Sequence, residues 1–166
     1  MDQSCTLEIA TAGDIDELMD WFPDAESVQI WGGPRFRYPF TRGSFIKDCR
    51  IKRVTSYSLR RADGAMLAFG QVYARDNRAH LARLIANPVL RRLGYGKLLV
   101  EKIIGVLRHE REYAEVSLFV YRHNEPAYHC YRSMGFAVQD YPDDAALKGQ
   151  CYFMTRPIHL EEEPGA

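Results

Sequence analysis

Arg91-Arg92-Leu93-Gly94-Tyr95-Gly96-Lys97 joins a strand-like apolar run to a helix-like amphipathic one, and its residue types suit a bound anion. The first turn of a helix offers backbone N–H groups with no intrahelical acceptor, together with a partial positive charge. Glycines at 94 and 96 let a phosphate approach that backbone with no Cβ in the way. Arg91, Arg92 and Lys97 add positive charge around the same turn. Two nucleotide motifs fail on spacing. GxxxxGK[ST] needs a hydroxyl after the lysine, where Leu98 stands, and its first glycine is missing; GxGxxG needs glycine where Leu99 stands. What remains is a loop that could hold a pyrophosphate through the amides of residues 92 to 97.

A second segment narrows the ligand. The loop fits [Arg/Gln]-x-x-Gly-x-[Gly/Ala], and Asn124-Glu125-Pro126-Ala127-Tyr128-His129-Cys130-Tyr131-Arg132-Ser133-Met134-Gly135-Phe136 fits Asn-x-x-Ala-x-x-x-Tyr-x-x-x-Gly-Phe at all five anchors. Together they resemble the GNAT superfamily of N-acetyltransferases, closely from Ala79 to about Tyr141 and only in layout over residues 1–75. Leu84-Ile85-Ala86-Asn87-Pro88 resembles the family's Leu-x-Val-x-Pro strand end, with Ala86 in place of Val. The resemblance implies acetyl-coenzyme A as co-substrate, no metal, and direct acetyl transfer to a primary amine: a small amine, an amino acid, or a peptide or protein N-terminus or lysine. It implies that Leu84, Ile85 and Ala86 bind the pantetheine arm, the Leu84 amide also polarising the acetyl carbonyl. Arg91, Arg92, Leu93, Gly94, Tyr95, Gly96 and Lys97 take the pyrophosphate. Asn124 and Ala127 contact the cofactor, and Tyr131 serves as acid toward the departing thiolate. Asn124 reads equally as a helix N-cap, and Tyr131 as a core aromatic. For the acceptor, the resemblance points to a loop carrying Trp31, Arg35 and Tyr38 and to a second loop with Asp140, Asp143 and Asp144. Tyr73, Glu26, Asp140 and His123 are candidates for the base. A coenzyme A-binding regulatory module without turnover is the alternative.

Elements of the right kind surround these residues. Leu7 and Ile9 alternate in a strand over Thr6–Ala10. Thr11 and Asp14 read as a capping box opening a helix through Ile15, Leu18, Met19 and Phe22, stopped by Pro23. Trp31 to Pro39, rich in Gly, Pro and aromatics, reads as a loop, after which Thr41 caps a short helix. Val54–Arg60, Met66–Tyr73 and Ala79–Ala86 form a meander with turns at Asp63-Gly64 and Asp76-Asn77. Helical spacing marks Tyr95–His109 and Asn124–Met134, the latter ended by Gly135. Strands are expected around Val116–Val120, Phe136–Tyr141 and Gln150–Arg156. The fold class is therefore α/β (α+β): a GNAT-like, mostly antiparallel twisted sheet of about seven strands flanked by four helices. The strand–helix–strand unit from Ala79 to Val120 should make a splayed parallel pair.

Composition bounds the rest. The 166 residues suit one domain, 1–166, with 161–166 a frayed tail. Lys plus Arg equals Asp plus Glu at 22 each, which argues against a dedicated nucleic-acid binder, although Arg35, Arg37, Arg42, Lys47, Arg50, Lys52 and Arg53 form a basic cluster. No signal-like segment, long apolar run or CxxC pair is present, so a cytoplasmic protein, a monomer or homodimer off the membrane, is expected.

Overall fold

The computed structural model describes residues 4–159; the tail expected to fray lies outside them. Seven strands and five helices appear in the order β1 (Cys5–Ile9), α1 (Ala12–Met19), α2 (Ala25–Gly32), α3 (Arg42–Cys49), β2 (Thr55–Arg61), β3 (Met66–Arg75), β4 (Arg78–Ala86), α4 (Tyr95–Glu110), β5 (Glu115–Tyr121), α5 (Glu125–Ser133), β6 (Ala137–Gln139) and β7 (Cys151–Pro157). A 3-10 turn, Pro88–Leu90, follows β4. The class is mixed α/β as expected, with one helix more than the four expected.

That helix is α2. Asp24 accepts from the Ser27 amide at 2.8 Å, and the Ser27 hydroxyl accepts from the Asp24 amide at 3.4 Å. This reciprocal cap starts a helix directly after Pro23, and it carries Trp31 and Gly32 out of the expected loop. The expected box at Thr11 and Asp14 is present, with the Thr11 amide donating to Asp14 Oδ2 at 2.7 Å. Helix α1 ends at Met19 rather than running on to Phe22.

The chain divides into two compact units, and β3, β4 and α4 each contribute to both. The first holds residues up to Tyr73 and Arg83–Ile103. Its strands β1, β2 and β3 pair antiparallel in succession. Its core gathers Ile15 and Leu18 of α1, Val28 of α2, and Phe45 and Cys49 of α3 around Phe22, Phe36, Met66 and Phe69. These helices are only eight residues long, too short to stand alone in water; burial of one apolar stripe from each holds them. Asp14, 4% exposed, faces Arg60 of β2 and the Ser58 hydroxyl. Burial alone would raise its pKa, but the Arg60 guanidinium, the Thr11 amide and Ser58 outweigh that and hold the carboxyl below its ordinary value.

The second unit holds Ala74–Ala82 and the chain from Ile104 onward. Strand β7 lies between β5 and β6, antiparallel to both. The start of β4 runs parallel to β5, as the crossover predicts, and their ladder consists of Ala79↔Val116 and His80↔Ser117. No ladder pair joins Leu81 or Ala82 to β5. His80 is 1% exposed, and its Nδ1 lies 2.8 Å from the Ser117 hydroxyl. Among the described residues no helix is long and apolar enough to cross a membrane.

Candidate active site

Strand β4 is tied down at the point where the first unit takes it over. Asn87 donates its amide to Leu67 O at 2.8 Å and its Nδ2 to Met66 O at 3.0 Å. Its Oδ1 accepts from the Val89 amide at 3.1 Å, which starts the Pro88–Leu90 turn. Beyond it, Arg92 (φ 66°) and Gly94 (φ 82°) are left-handed, so the backbone N–H vectors of this stretch do not alternate as in a strand; turned amides of this kind make an anion-binding concavity. Leu98 donates to Gly94 O at 3.0 Å, so the amides of Tyr95, Gly96 and Lys97 are first-turn groups of the 16-residue helix α4. A Cβ added at Gly94 or at Gly96 meets no atom within 4 Å. Both glycines therefore border open space. Only Gly94 also needs glycine for its backbone angle. Arg91, Arg92 and Lys97 are exposed and make no ion pair among the described residues.

Just before the expected pantetheine segment stands a residue the sequence reading passed over. Arg83 is itself left-handed, at φ 50°. Its guanidinium donates to Gly32 O from Nε and Nη2 (3.3 and 3.1 Å), and from Nη1 to Cys49 O at 3.1 Å and Gln71 Oε1 at 3.0 Å. Gly32 and Cys49 are the last residues of α2 and α3. One cation thus binds the carbonyls of two helix C-termini, whose partial negative charges stand in for a carboxylate. Burial pushes the Arg83 pKa below its ordinary value. The Arg83 carbonyl accepts from Trp31 Nε1 at 2.7 Å. The network anchors β4 to α2, α3 and β3 one residue before Leu84. Leu84 reaches β3, where its Cδ2 lies 2.7 Å from the Cβ that Gly70 lacks. No periodicity signals such a residue; an arginine inside an apolar strand was the one cue.

Trp31, Arg35 and Tyr38 have different settings. Trp31 stacks on Phe45 at 5.8 Å and touches Phe22, Phe36 and Phe69, which makes it part of the aromatic core. The Tyr38 hydroxyl donates to Pro23 O at 3.1 Å. Arg35 lines an open cavity of about 860 Å³; Trp31 and Tyr38 are not among its lining residues.

Asn124, Ala127 and Tyr131 lie on α5 in the second unit. Asn124 Oδ1 accepts from the Ala127 amide at 3.3 Å, so the residue is the N-cap, and its Nδ2 hydrogens stay available. Gly135, at φ 95°, ends the helix, and the Phe136 amide donates back to Tyr131 O at 3.0 Å. Tyr131 packs edge-on against Phe136 at 5.7 Å. Burial pushes its phenol well above the ordinary tyrosine pKa. Cys130 is half-buried. Glu26, His123 and Asp140 are exposed, His123 stacking on Tyr121 at 5.2 Å. In the acidic loop Asp144 pairs with Arg75 at 2.9 Å and Asp143 with Lys148 at 3.1 Å. Among the described residues no group of three or more His, Cys, Asp or Glu could hold a metal ion.

The family model of the acetyltransferase (GNAT) family matches residues 15–136. The chain belongs to that family. Solved structures agree in fold with this GNAT chain. The ribosomal-protein-S18-alanine N-acetyltransferase of Escherichia coli is 21% identical with a TM-score of 0.66, covering 96% of this chain and 97% of its own. PaiA N-acetyltransferase of Thermoplasma acidophilum, solved in complex with coenzyme A, is 18% identical with a TM-score of 0.69, covering 93% and 99%. Spermidine N-acetyltransferase of Vibrio cholerae, in complex with coenzyme A and spermine, is 14% identical with a TM-score of 0.73, covering 94% and 96%. The match to the GNAT model spans α4, its preceding loop and the whole of α5.

Proposed function

We propose that this GNAT chain is, over residues 1–166, a single acetyl-coenzyme A-dependent N-acetyltransferase acting on a primary amine. The observation that carries the reading is the 91–97 loop: two left-handed residues and two open-sided glycines at the start of α4, in a chain that the family model matches. The amides of residues 92 to 97 hold the pyrophosphate, and backbone groups of Leu84, Ile85 and Ala86 hold the pantetheine. Asn124 Nδ2 adds a contact while its Oδ1 keeps capping α5. The coenzyme A of the Thermoplasma and Vibrio structures supports the same ligand here.

In the reaction the neutral amine attacks the thioester carbon and forms the C–N bond. The Leu84 amide donates to the oxyanion, a contact that strengthens as charge develops. The intermediate collapses, the C–S bond breaks, and the proton lost by the amine ends on the thiolate. A thiol of pKa about 8.5 leaves well. Tyr131 keeps its proton at neutral pH, as an ordinary phenol does, and desolvation raises its pKa further. That same shift makes it a reluctant proton donor, so its role is to hydrogen-bond the developing thiolate rather than to surrender the proton.

The experiment is thiol release from acetyl-coenzyme A across a panel of primary amines, beside calorimetry with coenzyme A alone. Release with at least one amine is expected. Binding of coenzyme A with no release from any amine supports a non-catalytic module instead, and absence of both overturns the reading.

A further inference from the structure

The cavity that Arg35 lines is strongly one-signed. Arg35, Lys47, Arg50, Lys52, Arg53 and Arg83 border it, against a single carboxylate, Asp48. Asp48 is already committed, taking Nε and Nη2 of Arg37 at 3.0 and 2.9 Å and the Arg37 amide at 3.1 Å. Arg35, Arg50, Lys52 and Arg53 have no ion pair or side-chain hydrogen bond among the described residues. The helix α3 C-terminus beside Lys47 and Arg50 offers about half a charge, far short of neutralising the group. In a chain of zero net charge, so many unpaired cations around one hollow are a local excess. Like charges held together cost free energy unless an anion joins them. The volume, about 860 Å³, suits a small molecule, and a concave pocket is not the extended stripe a nucleic-acid backbone requires.

The cavity adjoins the proposed reaction site in sequence, although Leu84 itself does not line it. Arg83 is in its lining and directly precedes Leu84, and consecutive Cα atoms are about 3.8 Å apart. A substrate that uses both must carry its amine a few bonds from an anionic group, running from the cations past Arg83 to the Leu84 amide. Resting on the acetyltransferase reading above, we infer that this cavity receives the phosphate or carboxylate of the acceptor, so that the substrate is an anionic primary amine. A polyamine, the reverse in charge, is repelled by the same residues.

The test compares phosphoethanolamine, ethanolamine and putrescine as acceptors at low ionic strength, and titrates phosphoethanolamine into the coenzyme A-loaded protein by calorimetry. The account expects kcat/KM for phosphoethanolamine to exceed that for ethanolamine by about 30-fold or more, as charge-assisted contacts allow, and putrescine to be the poorest. The advantage shrinks with added salt. The double variant Arg50→Glu/Arg53→Glu, checked for folding by circular dichroism, lowers the ratio to about 3-fold or less and abolishes the calorimetric signal; Arg50→Lys/Arg53→Lys keeps both. Turnover of ethanolamine or putrescine at least as efficient as that of phosphoethanolamine sinks the inference and leaves the acetyltransferase standing. So does an absent calorimetric signal, one that survives the double charge reversal, or tight binding of an RNA oligonucleotide in place of phosphoethanolamine. Failure of coenzyme A to bind overturns the reading beneath it instead.

Discussion

Tyr131 and Arg83 show how a single side chain's surroundings decide its use. Tyr131 is half-buried on α5, and desolvation of its hydroxyl raises its pKa, so it stays protonated at and above neutral pH. On the proposed mechanism Tyr131→Phe removes one hydrogen bond to a developing anion, worth roughly 10- to 100-fold in rate. The expected result is that fall in kcat with KM for acetyl-coenzyme A little changed. In the wild type no alkaline loss of activity comes from this group below about pH 10, its ordinary value. A Phe variant with wild-type kcat would make Tyr131 a packing residue. The Arg83 guanidinium converts the ends of α2 and α3 into a clamp on β4. The sequence named Tyr131 because its partners Asn124 and Gly135 are close in the chain. Arg83 stayed hidden because its acceptors, Gly32, Cys49 and Gln71, are backbone carbonyls and an amide far away in sequence.

At the level of elements, the legible parts were those whose signals are local. The box at Thr11–Asp14, the Thr41 cap, the meander turns, the period of α4 and the Gly135 stop are each set by residues within a turn of one another. Helix α2 was not legible, because Trp31-Gly32-Gly33-Pro34 carries loop-forming residues and the cap at Asp24 uses Ser27 in place of the usual Glu or Gln. Its last residue shows why glycine is there. A Cβ on Gly32 would lie 2.4 Å from Cδ2 and 2.9 Å from Cγ of the Phe36 ring, and that ring is 3% exposed. Gly32→Ala should cost about 1–3 kcal/mol by overpacking, read as a lower urea midpoint with an unchanged slope. It should also weaken activity, because the Gly32 carbonyl is an anchor for Arg83. A fully stable Gly32→Ala protein would contradict this packing.

For the molecule as a whole, His80 ties stability to pH. Burial, with Arg75 nearby, pushes its pKa down to about 3, against about 6.5 in the unfolded chain. Between those values the unfolded chain binds a proton that the folded one does not, so stability rises with pH in that window. The contribution is complete above about pH 6.5 and is lost on acidification, by ~1.4 kcal/mol per pH unit at most. Asp14, with its lowered pKa, adds a further loss only below the ordinary carboxylate range. Melting curves from pH 6.5 to 4.5 should fall for the wild type and flatten for His80→Gln; identical slopes would remove His80 from this role. The fold class was readable from period and turn signals. The cationic cavity was readable only as a run of basic residues, because the pairing of Asp48 with Arg37, which leaves the other cations unmatched, exists only once α3 has formed.

The most direct test of the cofactor loop uses Gly96 rather than Gly94. Gly94→Val mixes lost approach with backbone strain, since Gly94 is left-handed; Gly96 has open space beside it and lies inside α4. Gly96→Leu should therefore leave the fold intact, while placing a side chain larger than the glycine or alanine of the motif where the pyrophosphate is proposed to approach. Calorimetry with coenzyme A should show Gly96→Leu weakening binding by at least about 10-fold and Arg91→Ala by less, if backbone amides rather than guanidinium charge hold the phosphates as proposed. Wild-type affinity in Gly96→Leu, or a larger loss in Arg91→Ala, would contradict the account.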